Sequence, residues 1–541
     1  MSTHSHLLFE DEARTKLLEG ARTLADAVRP TLGPEARSVL IEKKYGQPIV
    51  CDDGVTIAKQ LHLEDQDENL GAQMLKAAAT RTGDLLGDGT TTSTLLAYAI
   101  FREGLRNVTA GSSAIRLKRG LERGLEVAVD SLAKLSRPVA NTADTVHVAS
   151  VSAHNDEQIG RLVADAIDRV GHDGVVEVES AQGIETTLEV VEGLQFDKGY
   201  LSPYFVTDPE AMEAVLDRPS ILLIDKKLTS MAPLLPLLDA VVQAGLPLVV
   251  IAETIEAEAL ATLVVNKIRG TISVVGVKAP GFGERRRAML DDIAVLTKGM
   301  LISEDLGQTL ETVTLEDLGR ARRVIVSKDA TTIIGGEGSA EAVRARIDEL
   351  KRQIETTTSD WDREKLEERV AKLAGGVAII KVGATSEAEV ARKRDAFDDA
   401  ISATKAAITE GVVPGGGVAL VRAMDDLDAA MDGMGGDELV GMRVLRSALE
   451  VPCRQIAANG GLDAGVVVRD IADGEGFFGL DARDGEYKQL DEAGVLDPAK
   501  VVRVALENAV GVAGTLLLAE ATLTEIEEEA PAPLPPDLAG M

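Results

Sequence analysis

Cysteine is all but absent. Cys51 and Cys453 are the only two in 541 residues, too few for a disulfide framework or a cysteine-built zinc cluster. Histidine is scarce as well. His4, His6, His62, His147, His154 and His172 show no ligand spacing beyond His4-Ser5-His6, in a terminus expected to be mobile, so no histidine metal site is expected. Aromatic residues make up only 3%, with Trp361 the single tryptophan, so small aliphatic side chains must fill the interior. Positive charge is short: 57 basic against 89 acidic residues give a net charge of -32. That leaves no basic footprint for nucleic-acid phosphates, and no nucleic-acid partner is expected. No apolar run reaches the ~18 residues of a membrane span. Met1 to Glu12 has no basic stretch followed by an apolar one, as a secretory leader would have. A cytoplasmic location with no membrane partner follows as the expectation. Also missing is any Gly-x-x-x-x-Gly-Lys-[Ser/Thr] string, which removes P-loop ATPases and small-molecule kinases of that class.

What is present is ordinary globular material, 45% hydrophobic and 27% charged, in a length that suits three domains. Leu17, Ala21, Leu24, Ala25 and Val28 recur at helical spacing between Asp11 and Val28. Ser38 to Ile41 and Ile49 to Cys51 predict a short hairpin, and helices dominate from Glu68 to Leu135. After Pro138 helix and strand alternate, with Gly174 to Val178 the clearest strand. Beyond Gly193, the apolar runs Ile221–Ile224, Leu248–Ala252 and Ile272–Val277 are of strand length and separated by helical segments. They read as strands buried on both faces of an α/β unit. Ala340 to Ala374 predicts a solvated helical hairpin around Trp361. A strand at Val377–Val382 follows Gly375-Gly376, then a helix over Ser386–Thr409 and the glycine cluster Gly415-Gly416-Gly417. Helices are expected over Val418–Ala458, a loop over Gly474–Tyr487, and helices again over Pro498–Ile526, ahead of a tail expected to be disordered.

The outer segments are helical and the middle is α/β, with glycines at both crossings, so a nested architecture is the economical one. It is a multidomain α and α/β fold. A helical base is made from both chain ends, a small α/β connector is crossed twice by the chain, and a further α/β domain is inserted into it. The expected boundaries are 1–137 and 411–526 for the base, 138–192 and 377–410 for the connector, 193–376 for the inserted domain, and 527–541 for the tail.

One stretch carries chemistry. In Gly87-Asp88-Gly89-Thr90-Thr91-Thr92 two glycines flank a carboxylate, and threonines follow at the start of the apolar helix Leu95–Ile100. Glycine permits the tight turn, and a helix start with free N–H groups favours an anion. A carboxylate beside that anion suits Mg²⁺, which takes one or two carboxylates plus phosphate oxygens. A capped turn without any ligand accounts for the same residues.

Five strings in this order decide between the two. Thr31-Leu32-Gly33-Pro34, Gly87 to Thr92, Gly199-Tyr200-Leu201-Ser202-Pro203-Tyr204-Phe205, Lys278-Ala279-Pro280-Gly281-Phe282-Gly283 and Gly415 to Leu420 together resemble the group I chaperonins, the bacterial GroEL type. The resemblance spans nearly the whole chain, from about Phe9 to Thr524. It implies an equatorial domain for the base, an intermediate domain for the connector and an apical domain for the insertion. It also implies an ATP-hydrolysing molecular chaperone that uses Mg²⁺ and K⁺. In that resemblance Thr31, Leu32, Gly33 and Pro34 line the nucleotide, Asp88 holds Mg²⁺, and Gly89, Thr90, Thr91 and Thr92 bind phosphates. Gly416 approaches the ribose, and Asp481, Ala482 and Asp497 match adenine and ribose contacts. Asp399 matches the carboxylate that positions the attacking water, and Asp53 a second carboxylate near the γ-phosphate. Tyr200, Tyr204, Phe205, Leu235, Leu238, Leu260, Val264 and Val265 would form an exposed apolar surface for unfolded polypeptides and then for a lid co-chaperonin. Without the resemblance Leu260, Val264 and Val265, at helical spacing beside polar Glu258 and Asn266, read as a buried helix face. Seven subunits per ring, in two stacked rings, are the implied assembly.

Several residues depart from the family pattern. Asp52 stands where lysine is usual, Cys51 where threonine is, Asp481 where asparagine is, and Pro414 enters the glycine cluster. The tail lacks Gly-Gly-Met repeats, and Leu462-Asp463 stand where ring-to-ring acidic contacts are expected, with Arg454 a possible partner for Asp463. These departures motivate one alternative, a diverged paralogue that holds or scaffolds clients with little ATP turnover.

Overall fold

The computed structural model describes residues 4–42, 48–171, 174–181, 183–209, 211–303, 308–357 and 359–526. His172 and the 527–541 tail lie outside the described residues. The chain forms two compact units, one from Met1–Ala164 with Asp395–Met541 and the other from Asp165–Arg394.

The first unit is a helical body. The predicted apolar stripe Leu17, Ala21, Leu24, Ala25 and Val28 is the buried face of the helix Glu10–Val28. That helix packs on Gln66–Leu86 at a distance only glycine permits: a β-carbon at Gly20 would stand 1.7 Å from the Glu68 carbonyl oxygen, and one at Gly71 2.1 Å from that of Leu17. The helices Ala114–Leu135 and Gly436–Leu449 meet the same way, through Gly120 and Gly441. A sequence poor in aromatics thus gains its packing density by bringing backbones together. Leu24, Leu75, Leu96, Phe101, Leu121 and Leu506 fill the common core, to which the helices Thr90–Thr109 and Ala499–Leu517 also contribute.

Among the described residues, four two-stranded pairs decorate this body. Val39–Ile41 pairs antiparallel with Ile49–Cys51, as the sequence predicts. The other three correct the sequence reading. The N-terminal stretch carries a strand: His4–Phe9 pairs antiparallel with Ala521–Ile526, His6 opposite Thr524. The last helix therefore stops at Leu517 rather than continuing to Ile526. Asp67 anchors the pair from beneath, taking the His6 Nδ1–H at 3.0 Å and the Thr522 hydroxyl at 2.6 Å. Val412–Pro414 pairs with Leu496–Pro498. Within the expected loop Gly474–Tyr487, Phe478–Asp481 pairs with Glu486–Gln489 as a hairpin.

The second unit is built on an eight-stranded sheet. The three runs of strand length become the parallel neighbours Val274–Lys278, Leu248–Ile255 and Ser220–Leu228. The antiparallel strands Gly319–Val326, Thr331–Gly336 and Gly193–Phe196 extend the sheet. Val249, Val250, Ile251 and Leu223 are fully buried, as strands covered on both faces must be. A separate small sheet carries Val377–Val382 between Val175–Ser180, parallel, and Thr187–Val191, antiparallel. The charged hairpin Ala340–Thr356 and Asp360–Gly375 is solvated as predicted, and Trp361 is exposed. Arg369 and Arg346 converge from it on the buried carboxylate of Asp292 at 2.7 and 2.8 Å.

Candidate functional site

The turn between the helices Gln66–Leu86 and Thr90–Thr109 sits at the floor of a cleft in the first unit. Gly87 and Gly89 both take positive φ, +73° and +80°, which a side chain would resist. Gly87 ends one helix and Gly89 opens the next, so the first N–H groups of Thr90–Thr109 face the cleft with no side-chain cap. Thr31 Oγ1 lies 3.2 Å from Thr91 Oγ1, tying the Thr31–Pro34 turn to the helix start. Asp88 is fixed on both oxygens: Oδ1 accepts the Gly89 N–H at 2.5 Å and Oδ2 the Ser152 hydroxyl at 2.7 Å.

Asp53 caps the helix Gly54–Gln60, accepting from Val55 N at 3.0 Å and Thr56 N at 2.9 Å. A β-carbon at Gly54 would strike Thr91 Oγ1 at 2.2 Å, which places this cap against the threonines. Asp399 approaches from the helix Glu387–Glu410. Its Oδ1 stands 3.7 Å from the position a β-carbon would take at Gly87, and Ser402 stands closer still, at 2.9 Å. The opposite wall is the hairpin Phe478–Gln489 with Val495 and Asp497. A β-carbon at Gly416 would meet nothing nearer than the Leu480 carbonyl at 3.9 Å and would stand in the open cleft.

The structure brings together in this one cleft Thr31, Leu32, Gly33, Pro34, Asp53, Asp88, Gly89, Thr90, Thr91, Thr92, Asp399, Gly416, Asp481, Ala482 and Asp497. It adds lining residues the sequence reading did not single out, among them Ser152, His154, Asn155 and Arg483. No motif announces Ser152; its role follows only from the folding of Thr142–Ser152 onto Asp88. Asp52 also lines the cleft. Six aspartates therefore face it and Arg483 is the one Lys or Arg among the described lining residues.

The electrostatics follow from that imbalance. Burial, then the neighbouring Asp88 and Asp53 carboxylates, push Asp399 up to about 9. Burial and Asp88 push Asp497 up to about 7, against a favourable Gly416 N–H. Carboxyls crowded in this way call for cations. Among the described residues no group of three or more His, Cys, Asp or Glu is placed to hold a metal by protein ligands alone. That donor set fits Mg²⁺ held by one carboxylate with phosphate oxygens and water. Asp481 goes the other way: burial opposes its charge, but Arg483 and Lys488 hold it down at about 2.

The apolar surface expected in the second unit is only partly there. Tyr204, Leu235 and Val265 are exposed, while Tyr200, Leu238, Leu260 and Val264 are half-buried against the core. Phe205 is a correction. The single turn Pro203–Phe205 sends Tyr204 outward and Phe205 inward, where it is fully buried beside Gly276. Ile268, 64% exposed, continues the Leu260–Val264 spacing by one more turn, a signal the sequence already held. Within the chain Arg454 pairs with Glu450 at 2.7 Å, and Asp463 caps the helix Ala464–Ala472.

The TCP-1/cpn60 chaperonin family model matches residues 24–527 of the chain. The protein named Chaperonin GroEL 5, from Bradyrhizobium diazoefficiens, is 56% identical over 537 residues, covering 99% of each chain. No helix among the described residues is long and apolar enough to cross a membrane.

Proposed function

The chain belongs to the TCP-1/cpn60 chaperonin family, and from that premise we propose that it is a subunit of an ATP-driven folding chamber. The observation that carries the reading is the meeting of Asp88, the uncapped start of Thr90–Thr109 and Asp399 in one cleft. The helix start and its threonines bind the phosphates of ATP. Asp88, fixed by Ser152, would hold Mg²⁺, which would supply charge neutralisation for phosphoryl transfer; K⁺ is the proposed further cation. Asp399 orients a water for in-line attack on the γ-phosphate, and Asp53 lies beside it. Positioning and charge neutralisation are what such a transfer needs from a protein. Gly416, Ala482 and Asp497 accept the nucleoside.

The three-domain division (1–137 with 411–526, 138–192 with 377–410, and 193–376) is carried into this proposal, as are seven-membered rings in two stacked layers and a cytoplasmic location. Tyr204, Leu235 and Val265 present apolar side chains with which unfolded polypeptide, and afterwards a lid co-chaperonin, would pack. Such capture selects exposed core residues in general rather than one sequence.

Asp52 is the observation behind the alternative of a slow-turnover holder, because it adds a carboxylate where phosphates bind. The test is refolding of a denatured enzyme with this chain, a lid co-chaperonin and Mg-ATP. Recovery that depends on ATP hydrolysis supports the chamber; capture with no ATP-dependent recovery supports the holder.

A further inference from the structure

The helix Ala257–Ile268, which exposes Val265, also carries a charge that no group of the second unit answers. At about 100° per residue, Leu260, Val264, Lys267 and Ile268 stand at i, i+4, i+7 and i+8 and share one face. Ala259 and Leu263, on the adjoining face, are buried in the core. Leu260, Val264 and Lys267 are half-buried, and Ile268 is exposed. Lys267 therefore leaves the helix at the seam between the core and the open apolar surface. The same helix packs on the turn Pro203–Phe205, which exposes Tyr204.

Among the described residues the Lys267 ammonium has neither a hydrogen bond nor an ion pair. The nearest carboxylates in sequence, Glu256 and Glu258, stand at the far end of the helix, and Glu258 accepts the Ser230 hydroxyl at 3.3 Å. Burial lowers Lys267 from the ordinary lysine value, with no carboxylate acting against it. A cation in the last turn favours the helix dipole. Arg269, the exposed C-cap residue, serves that end as well, and by the same spacing it falls on the opposite side from Leu260. The dipole thus explains a cation at this end, not one set among apolar side chains. An incoming carboxylate gains more from such an ammonium than from a solvated one, because its surroundings screen less.

We propose that Lys267 adds a charge preference to apolar capture, so that this surface favours unfolded client segments in which an aspartate or glutamate is flanked by large apolar residues. The inference rests on the capture reading of Tyr204, Leu235 and Val265. The flanking side chains pack with Leu260, Val264 and Ile268 while the carboxylate meets the ammonium, so neither charge is left unpaired as water is excluded. A segment with an amide or a lysine at that position leaves Lys267 covered and without a partner. Lys267 is a specificity-determining residue on this account.

The test is equilibrium binding, by fluorescence anisotropy, of short labelled leucine-rich peptides to the nucleotide-free full-length assembly. The peptides differ at one central residue, which is glutamate, glutamine or lysine. Wild type is expected to bind the glutamate peptide about fivefold tighter than the glutamine peptide. Lys267→Met should bind those two alike, and Lys267→Glu should favour the lysine peptide instead. Arg269→Gln removes a charge from the same helix end but off the apolar face, and it should keep the wild-type preference. Wild type that binds the glutamate and glutamine peptides equally overturns the proposal. So does a preference that survives in Lys267→Met and Lys267→Glu, or one that Arg269→Gln also abolishes. Failure of the wild type to bind any of the peptides, or binding unaltered by Leu235→Glu with Val265→Glu, would instead remove the capture reading, and this inference with it.

Discussion

Ser152 Oγ donates a 2.7 Å hydrogen bond to Asp88 Oδ2. With the Gly89 N–H on Oδ1, that bond aims the carboxylate proposed to hold Mg²⁺, as outer-shell partners orient a metal ligand. Ser152→Ala is expected to leave the fold intact and weaken Mg²⁺-dependent nucleotide binding about tenfold, in the range of outer-shell changes at metal sites. A Mg²⁺ titration of ATP hydrolysis reads the shift directly. An unmoved Mg²⁺ midpoint would show that Ser152 merely packs there.

A stability prediction concerns Arg137 and Asp144, bonded at 2.7 and 3.0 Å, with Ala140 N–H on the same carboxylate at 3.0 Å. The Arg137 hydrogen bond comes first among the effects that hold the Asp144 carboxyl below its usual range, against the opposing effect of burial. A depressed folded-state value means the stabilisation is complete above the ordinary aspartate value of about 3.9 and is lost as pH falls through the folded value. Arg137→Ala is expected to cost about 3 kcal/mol at pH 7, because a buried charge loses its partner. The difference from wild type should shrink as Asp144 protonates below about pH 4. Urea midpoints at pH 7 and pH 3.5 check this, and a gap that widened in acid would contradict it.

Much of this was legible in the sequence, for identifiable reasons. The helix Glu10–Val28 and the parallel strands of the second unit follow local periodicity, which packing then reinforces. The Gly87–Thr92 turn was legible because its glycines take the positive φ their flanking pattern suggested. The strand pairs His4–Phe9 with Ala521–Ile526 and Val412–Pro414 with Leu496–Pro498 were not. Each joins segments far apart in the chain, and a three-residue strand leaves no period to detect. Phe205 was misplaced because its exposure came from the resemblance alone: the one-turn helix Pro203–Phe205 sends adjacent residues in opposite directions and leaves no period from which to read burial. The Asp481–Arg483–Lys488 cage was hidden inside what read as a polar loop.

Asp52 lines the cleft beside Asp53. Replacing it by lysine exchanges repulsion of the phosphates for attraction, and charges a few ångströms apart near a protein surface interact by several kcal/mol before screening. Asp52→Lys is expected to tighten ATP binding about tenfold or more at low salt, an advantage that shrinks as added salt screens the attraction. Competition binding at two salt concentrations checks both; equal affinity would show that the carboxylate is screened from the phosphates.

Leu235 and Val265 expose apolar side chains on the helices Leu235–Ala244 and Ala257–Ile268. Leu235→Glu with Val265→Glu should abolish retention of a denatured client on size-exclusion chromatography while leaving the ATPase rate within about twofold, since surface changes away from a site are close to neutral. Retention unchanged by both charges would remove this surface from the capture role.

The most direct test of the account is single-turnover hydrolysis of ATP with Mg²⁺ and K⁺ by the wild type and Asp399→Ala. The account predicts that the wild type turns over and that the variant keeps ATP bound while slowing at least about 100-fold, the cost of losing the group that orients the attacking water. Equal rates in the two would contradict it, because the water would then be oriented by something other than the carboxylate that lies against the Gly87 turn.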